Sequence, residues 1–201
     1  MSTFESELLG LAGKSAVVTG AANGIGRAET NLLSKLGVNV VAVDVEFKEG
    51  FDSQRPGRIV TLEADVSEYC SAERAVKTCM DEFSALNILV NNAAVNKGGT
   101  ILDYKPEEWE RTFDVNISGC RNFARAAALE MKKKKSGRII NTSSVDGILA
   151  EPGILAYSAS KGAIIIMTKC MASELAPFGI TVNSIAPGWC DTVFGTGMLD
   201  I

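Results

Sequence analysis

Ser15-Ala16-Val17-Val18-Thr19-Gly20-Ala21-Ala22-Asn23-Gly24-Ile25-Gly26 changes character once, and that change decides the fold. Ser15 to Thr19 is a short β-branched apolar run, the pattern of a strand buried on both faces. Gly20 breaks it, and a helical pattern then runs to about Leu36, where Gly37 supplies a left-handed stop. A strand, a tight glycine turn and a helix in that order form the first half of a parallel βαβ unit. Gly20, Gly24 and Gly26 leave bare backbone between strand and helix. A pyrophosphate can approach there and rest on the helix N-terminus. The spacing is Gly-x-x-x-Gly-x-Gly and not the usual Gly-x-Gly-x-x-Gly. The alternative reading is a tight βα turn with no ligand.

The same alternation repeats along the chain. Val38 to Val43 reads as a second strand ending in Asp44, and Glu46 to Gly57 as irregular surface. Arg58 to Leu62 is a third strand, followed by Asp65-Val66 and a helix from about Glu68 to Phe83. Asn87 to Val90 is a fourth strand, ending in Asn91-Asn92-Ala93-Ala94. Pro106 opens a long helix that continues to the lysine run, since proline suits the first helical turn. Arg138 to Thr142 makes strand five, a helix holding Tyr157 and Lys161 runs to about Phe178-Gly179, and Ile180 to Ala186 makes strand six. No repeat, linker or low-complexity stretch divides residues 1–201, so one α/β domain is expected. Its architecture is a doubly wound parallel sheet of six strands in three layers.

Composition excludes several functions. With 201 residues, 46% hydrophobic, 22% charged and a net charge of −4, the chain resembles an ordinary globular domain with no electrostatic call for nucleic acid or an anionic membrane. No apolar run has the length of a membrane span, and the acidic first fifteen residues make no signal peptide. A cytoplasmic location is expected. Five cysteines without a Cys-x-x-Cys pair argue for reduced, mostly packed thiols and against a disulfide framework or a zinc site. With no histidine, a Ser-His-Asp relay and a histidine-ligated metal are both impossible, and no metal is expected. Lys132 to Lys135 reads as cations opposing a helix C-terminal dipole and facing water.

Proton chemistry near neutrality must therefore come from a tuned tyrosine, lysine, cysteine or carboxylate. Tyr157 and Lys161 stand four apart, one turn from each other on one helix face. A lysine charge about 4 Å from the phenol, at an effective dielectric near 20, would favour the phenolate by about 4 kcal/mol, roughly three pH units. By itself the spacing is weak, with about 0.2 chance occurrences expected per chain of this composition. Asp44, at the end of strand two, can accept hydrogen bonds from both hydroxyls of a ribose and repels a 2′-phosphate. No arginine or lysine lies in the glycine turn or directly after Asp44, which favours NAD over NADP. The alternative is a carboxylate that merely terminates a strand.

Taken together, Thr19-Gly20-x-x-x-Gly24-Ile25-Gly26, Asn91-Asn92-Ala93-Ala94, Asn116, Ser144, Tyr157-x-x-x-Lys161 and Pro187-Gly188-x-x-x-Thr192 resemble the classical short-chain dehydrogenase/reductase family. The resemblance runs from Leu11 to Thr192 with the motifs in family order, and their joint occurrence is specific. It implies a Rossmann-type fold and an NAD-dependent oxidoreductase acting on a secondary alcohol or ketone. Tyr157 would be the general acid–base, with Lys161 lowering its pKa and bonding the nicotinamide ribose. Ser144 would hold the substrate oxygen, with Ser143 as its rival. Asn116 would hold a water that links Lys161 to bulk; the alternative for it is a helix-interior amide bonded to backbone.

For the cofactor, the resemblance implies contacts from Gly20, Asn23, Gly24, Ile25, Gly26, Asp44, Asp65, Val66, Asn92, Ala93, Tyr157, Lys161, Pro187, Gly188 and Thr192. Asn91 would brace the central strands, and Ile185 would join the segment that wraps the nicotinamide. Asp146 and Glu151, in the loop after Ser144, read as solvated carboxylates, with contact to a polar substrate as the alternative. Family members continue beyond Thr192 through a substrate-covering segment and a seventh strand. A chain ending at Ile201 would lack both, leaving strand six as an exposed edge. The resemblance thus carries a second expectation, a shortened form that binds dinucleotide or pairs with a full-length subunit without turnover. It also implies a homo-oligomer through helices 106–135 and 157–178.

Overall fold

A computed structural model describes residues 9–192. Six strands form one parallel sheet: β1 (Ser15–Thr19), β2 (Asn39–Asp44), β3 (Ile59–Glu63), β4 (Ile88–Asn91), β5 (Gly137–Thr142) and β6 (Ile180–Ile185). Their order is β3-β2-β1-β4-β5-β6. The chain starts in the middle of the sheet, winds out to β3, then returns to wind the other way from β4. This reversal puts a topological switch point between β1 and β4, where such sheets open a crevice at the carboxyl ends of their strands.

The helices are α1 (Gly24–Lys35), α2 (Tyr69–Phe83), α3 (Pro106–Phe113), α4 (Cys120–Lys134) and α5 (Leu155–Leu175). Strand alternation sorts the core into two layers. Val17, Val41, Leu89 and Ile139 face Ala75 and Cys79 of α2 and Phe123, Ala127 and Met131 of α4. Ala16, Val18, Val40, Ala42 and Val90 face the other way, toward Leu33 of α1. The doubly wound, three-layer arrangement expected from the pattern is the one observed, with strand boundaries moved by a residue or so.

Two details differ from the sequence reading. The long helix opened by Pro106 is interrupted, because Asp114–Gly119 is a π-helical segment joining α3 to α4. Such bulges are uncommon and gather at functional sites, and Asn116 lies within this one. The cysteines are also less packed than expected. Cys79 and Cys120 are buried, but Cys70 and Cys170 on helix surfaces and Cys190 on the loop after β6 are exposed; all five are free thiols. Lys132, Lys133 and Lys134 are exposed in the last turn of α4, as read, though Lys132 also lies over the Phe178 ring at 4.4 Å and Lys134 donates to the Ser84 carbonyl.

Candidate active site

A cleft of about 380 Å³ opens across the carboxyl ends of the strands, from the glycine turn to Trp189 and Thr192. That volume is in the range of cofactor and substrate pockets. At one end the turn from β1 to α1 is built for close backbone approach. Gly20 has φ +66°, and a Cβ there would meet Asn92 Nδ2 and Ala93 Cα at 2.8 Å. Thr19 Oγ1 accepts from the backbone N–H groups of Asn92 and Ala93, and Asn92 Nδ2 donates to the Thr19 and Gly20 carbonyls. Asn92 is therefore a brace between β4 and the glycine turn as well as part of the cleft wall.

Asn23 precedes α1 as its N-cap without a side-chain cap bond, and the first turn holds no acidic residue. The first amides of α1 thus lack a side-chain cap, and together with Gly24 and Ile25 they face the cleft. This is a fitting seat for a pyrophosphate. Thr192 closes over Gly24, whose Cβ would lie 3.3 Å from the threonine Cβ.

Asp44 is held at the end of β2 by the backbone N–H groups of Ala22 (2.9 Å) and Val45 (2.7 Å). Arg27, one residue past the glycine turn, folds back on it more closely than the sequence suggested, with Nη1 3.3 Å from the Ala22 carbonyl oxygen. Its guanidinium is committed elsewhere, donating to the Gly50 carbonyl at 2.7 Å and lying 4.7 Å from the Phe51 ring centroid. Asp65 lines the cleft beside Val66. Burial pushes its carboxyl up, but hydrogen bonds from Ser67 and Arg111 outweigh this and hold it below the ordinary range. The Arg111–Asp65 pair, 2.8 Å apart, had no sequence signal, because forty-six residues separate the partners.

The other end of the cleft brings together the serine, tyrosine and lysine singled out in the sequence. Tyr157 and Lys161 lie on the buried stripe of α5 with Ile164 and Thr168, and are 8% and 2% exposed. Gly147 lets the loop after β5 touch α5, since a Cβ on it would fall 2.7 Å from the Lys161 carbonyl carbon. That contact sets Ser144 on the same cleft wall as Tyr157, close enough for its hydroxyl to favour the phenolate. Ser144 Oγ also donates to Asp146 Oδ2 at 2.9 Å and accepts from the Asp146 N–H at 3.1 Å. Ser143, the rival, is turned away and donates to the Lys161 carbonyl oxygen at 2.9 Å. Asp146 is thus no merely solvated loop carboxylate; both it and Glu151 line the cleft.

Asn116 anchors this end from behind. Its Oδ1 accepts from the Val95 N–H, and its Nδ2 donates to the Val95 carbonyl and to Ser160 Oγ. Ser160 in turn donates to the Tyr157 carbonyl at 2.7 Å. The amide bonds to remote backbone and to α5, not to its own helix. A void of about 10 Å³, near the lower limit for one water, is lined by Asn116, Cys120 and Thr142. Asn91 braces β4, donating to Asn141 Oδ1 and the Cys120 carbonyl. Pro187, Gly188 and Thr192 line the cleft, whereas Ile185 is half exposed and holds the Ser143 N–H through its carbonyl.

The electrostatics depart from the expected lysine–tyrosine coupling. Burial raises the Tyr157 phenol above its ordinary value; the neighbouring Ser144 hydroxyl opposes this and the Asp146 charge adds to it. Lys161 is lowered from 10.5 to about 8, chiefly by burial. Its Nζ donates to the Thr142 carbonyl at 2.8 Å and stands 5.4 Å from the tyrosine ring centroid. The ammonium is directed at a carbonyl, and burial penalises both charged forms. Among the described residues no group of three or more acidic or cysteine side chains could hold a metal ion, and no helix is long and apolar enough to cross a membrane.

Comparison with known proteins agrees with this geometry. The family model described as short chain dehydrogenase matches residues 14–198. The 3-oxoacyl-[acyl-carrier-protein] reductase of Synechocystis sp. is 37% identical over 183 residues, covering 88% of this chain and 74% of that protein. Oxidoreductase UcpA of Salmonella typhimurium is 39% identical over 187 residues, with 90% and 71% covered. Among solved structures, NAD+-bound xylitol dehydrogenase superposes with a TM-score of 0.84 at 30% identity, covering 89% of this chain and 71% of that one. Levodione reductase reaches 0.89 at 26% identity, with 94% and 76% covered.

A doubly wound sheet with a glycine turn and a Ser-Tyr-Lys cluster at its switch point defines a nicotinamide-dependent oxidoreductase. The chain belongs to the short chain dehydrogenase family.

Proposed function

We propose that this chain is an NAD-dependent oxidoreductase of secondary alcohols and ketones, with Tyr157 as general acid–base and Ser144, Lys161 and Asn116 as its supports. The observation that carries the reading is the gathering of Ser144, Tyr157 and Lys161 on one wall of the cleft, with Lys161 buried one turn further along α5. When bound, the nicotinamide supplies the acceptor or donor of hydride. The protein's task is the proton. In alcohol oxidation the Tyr157 oxygen takes the hydroxyl proton as the carbon–hydrogen bond breaks, and in ketone reduction it returns it. Ser144 fixes the substrate oxygen beside the phenol, and Asn116 holds the start of α5 in register through Ser160. Lys161 would hold the nicotinamide ribose, and Asn116 would order a water between Lys161 and bulk.

The choice of NAD rests on Asp44, with the NAD+ of the xylitol dehydrogenase neighbour in support. Both cations that line the cleft are engaged, Arg111 by Asp65 and Lys161 by the Thr142 carbonyl. A 2′-phosphate at Asp44 would meet a carboxylate. Oligomerisation through helices 106–135 and 157–178 is supported by Leu129 and Ile166, exposed on helices whose other faces are already buried. Five free thiols suit the reducing cytoplasm.

The test is direct. NADH should quench or transfer fluorescence at least about tenfold more tightly than NADPH, a difference of about 1.4 kcal/mol. Secondary alcohols with NAD should generate NADH absorbance. Equal affinities would defeat the NAD assignment, and absence of NADH production across secondary alcohols would defeat the reaction.

A further inference from the structure

Among the cleft residues left without a task, Asp146 is hydrogen-bonded to the Ser-Tyr-Lys cluster itself. Asp146 is half-buried on the loop after β5, and its Oδ2 accepts a hydrogen bond from the Ser144 hydroxyl at 2.9 Å. Two consequences follow from the donor inventory. A serine hydroxyl has one proton, so Asp146 fixes the direction of the Ser144 hydroxyl and competes for it with the phenolate and the substrate oxygen. The second carboxylate oxygen, Oδ1, keeps its lone pairs for a further donor in the cleft that Asp146 lines. Charge points the same way. The cleft is lined by four carboxylates (Asp44, Asp65, Asp146, Glu151) against two cations (Arg111, Lys161), a formal balance of −2. Arg111 is paired with Asp65, so among the described residues the end shared by Ser144, Tyr157 and Lys161 holds two carboxylates, Asp146 and Glu151, against the one buried ammonium, which is turned to the Thr142 carbonyl.

We propose that Asp146 determines substrate class: it positions Ser144 and accepts a hydrogen bond from a hydroxyl or ammonium on the carbon next to the reacting one, while repelling an anion there. The proposal rests on the oxidoreductase reading above. The substrate is thus a vicinal diol or amino alcohol, or the matching carbonyl compound, and not an α-hydroxy or α-keto acid. Neutral and charged partners share the donor chemistry, and the assay separates them.

Four alcohols with one skeleton supply the test: propylene glycol, isopropanolamine, isopropanol and lactate, each oxidised at its secondary hydroxyl with NAD. For the wild type, kcat/KM should be higher for the glycol and the amino alcohol than for isopropanol, and lowest for lactate. Asp146→Asn keeps an acceptor for Ser144 and removes the charge. It should shrink the isopropanolamine-to-lactate ratio by about tenfold or more, about 1.4 kcal/mol. Asp146→Ser serves as a second neutral variant, with wild-type NADH affinity as the check that the fold is intact.

A separate readout is the pH profile. The charged and titratable groups sharing the phenol's end of the cleft are Lys161 on α5, Asp146 and Glu151 on the loop after β5, and Cys190 after β6. The Asp146 charge raises Tyr157, so its removal should move the alkaline-favoured limb of alcohol oxidation to lower pH. A merely structural role would depress all four substrates alike and leave the limb in place. That outcome, a preference for lactate, or no turnover of either donor-bearing substrate overturns the proposal. Tyr157→Phe keeps the two claims apart: turnover surviving in that variant sinks the oxidoreductase reading whichever way the Asp146 ratios fall.

Discussion

Replacing Lys161 by methionine should make the protein more stable and inactive at once. The lysine is 2% exposed, and burial brings its pKa from 10.5 to about 8. The sign follows from proton counting. Between about pH 8 and 10.5 the unfolded chain holds a proton that the folded chain has released, so stability rises with pH across that window. Below about pH 8 the folded state carries the whole penalty of a buried charge. At about 1.36 kcal/mol per pH unit, the gap amounts to roughly 3 kcal/mol. Methionine fills similar volume without charge, but it abandons the hydrogen bond to the Thr142 carbonyl, a loss of about 1 kcal/mol.

Lys161→Met should therefore be about 2 kcal/mol more stable than wild type near neutrality, and the advantage should vanish or reverse by about pH 10.5. Urea unfolding of both proteins with reductant and without dinucleotide measures this, since a bound ligand would add its own stabilisation. Other alkaline titrations are common to both chains and cancel in the difference. A variant less stable than wild type near neutrality, with a gap that ignores pH, would refute the claim that Lys161 is held charged against a desolvation penalty.

Other positions carry their own expectations. A Cβ at Gly26 would fall 2.5 Å from Asn92 Nδ2 and closer still to the Gly20 carbonyl oxygen. Gly26→Ala should therefore cost about 1–3 kcal/mol in urea unfolding and weaken NADH binding; wild-type values for both would contradict the turn's role. Glu29 has a buried Oε2 without a hydrogen-bond partner, and burial raises its pKa from 4.5 to about 7. Its penalty grows as pH rises through that window, so Glu29→Gln should gain about 1 kcal/mol near pH 8 after solvent screening and nothing near pH 4. Thermal melts at the two pH values check it, and an equal effect at both would count against the assignment.

Most of the fold was legible because a parallel sheet buried on both faces writes itself as β-branched runs cut by glycine and proline. Ser15–Thr19 was readable to the residue, and β6 to within one. The π segment at Asn116 was not, since a bulge of one residue changes no periodicity that a single sequence displays. The tyrosine–lysine pair was legible from spacing, but its electrostatics were not. Spacing places Lys161 near Tyr157; only the tertiary structure shows its ammonium drawn to the Thr142 carbonyl and both groups desolvated. Arg111 was invisible for the same reason, its partner Asp65 lying on another element. Gly147 and Asp146 had a local signal that was read too weakly. A serine followed two residues later by an aspartate, then a glycine, is a turn that can place one side chain on another, and here it sets Ser144 against Tyr157.

The central claim is that the Tyr157 oxygen carries the substrate proton. Tyr157→Phe removes that oxygen from a site whose other supports remain, so the most direct measurement pairs steady-state turnover with an NADH fluorescence titration of the same variant. The account predicts a kcat/KM lower by about 10²-fold or more, the scale of general acid–base catalysis, with NADH affinity largely retained. Turnover at the wild-type level would contradict it.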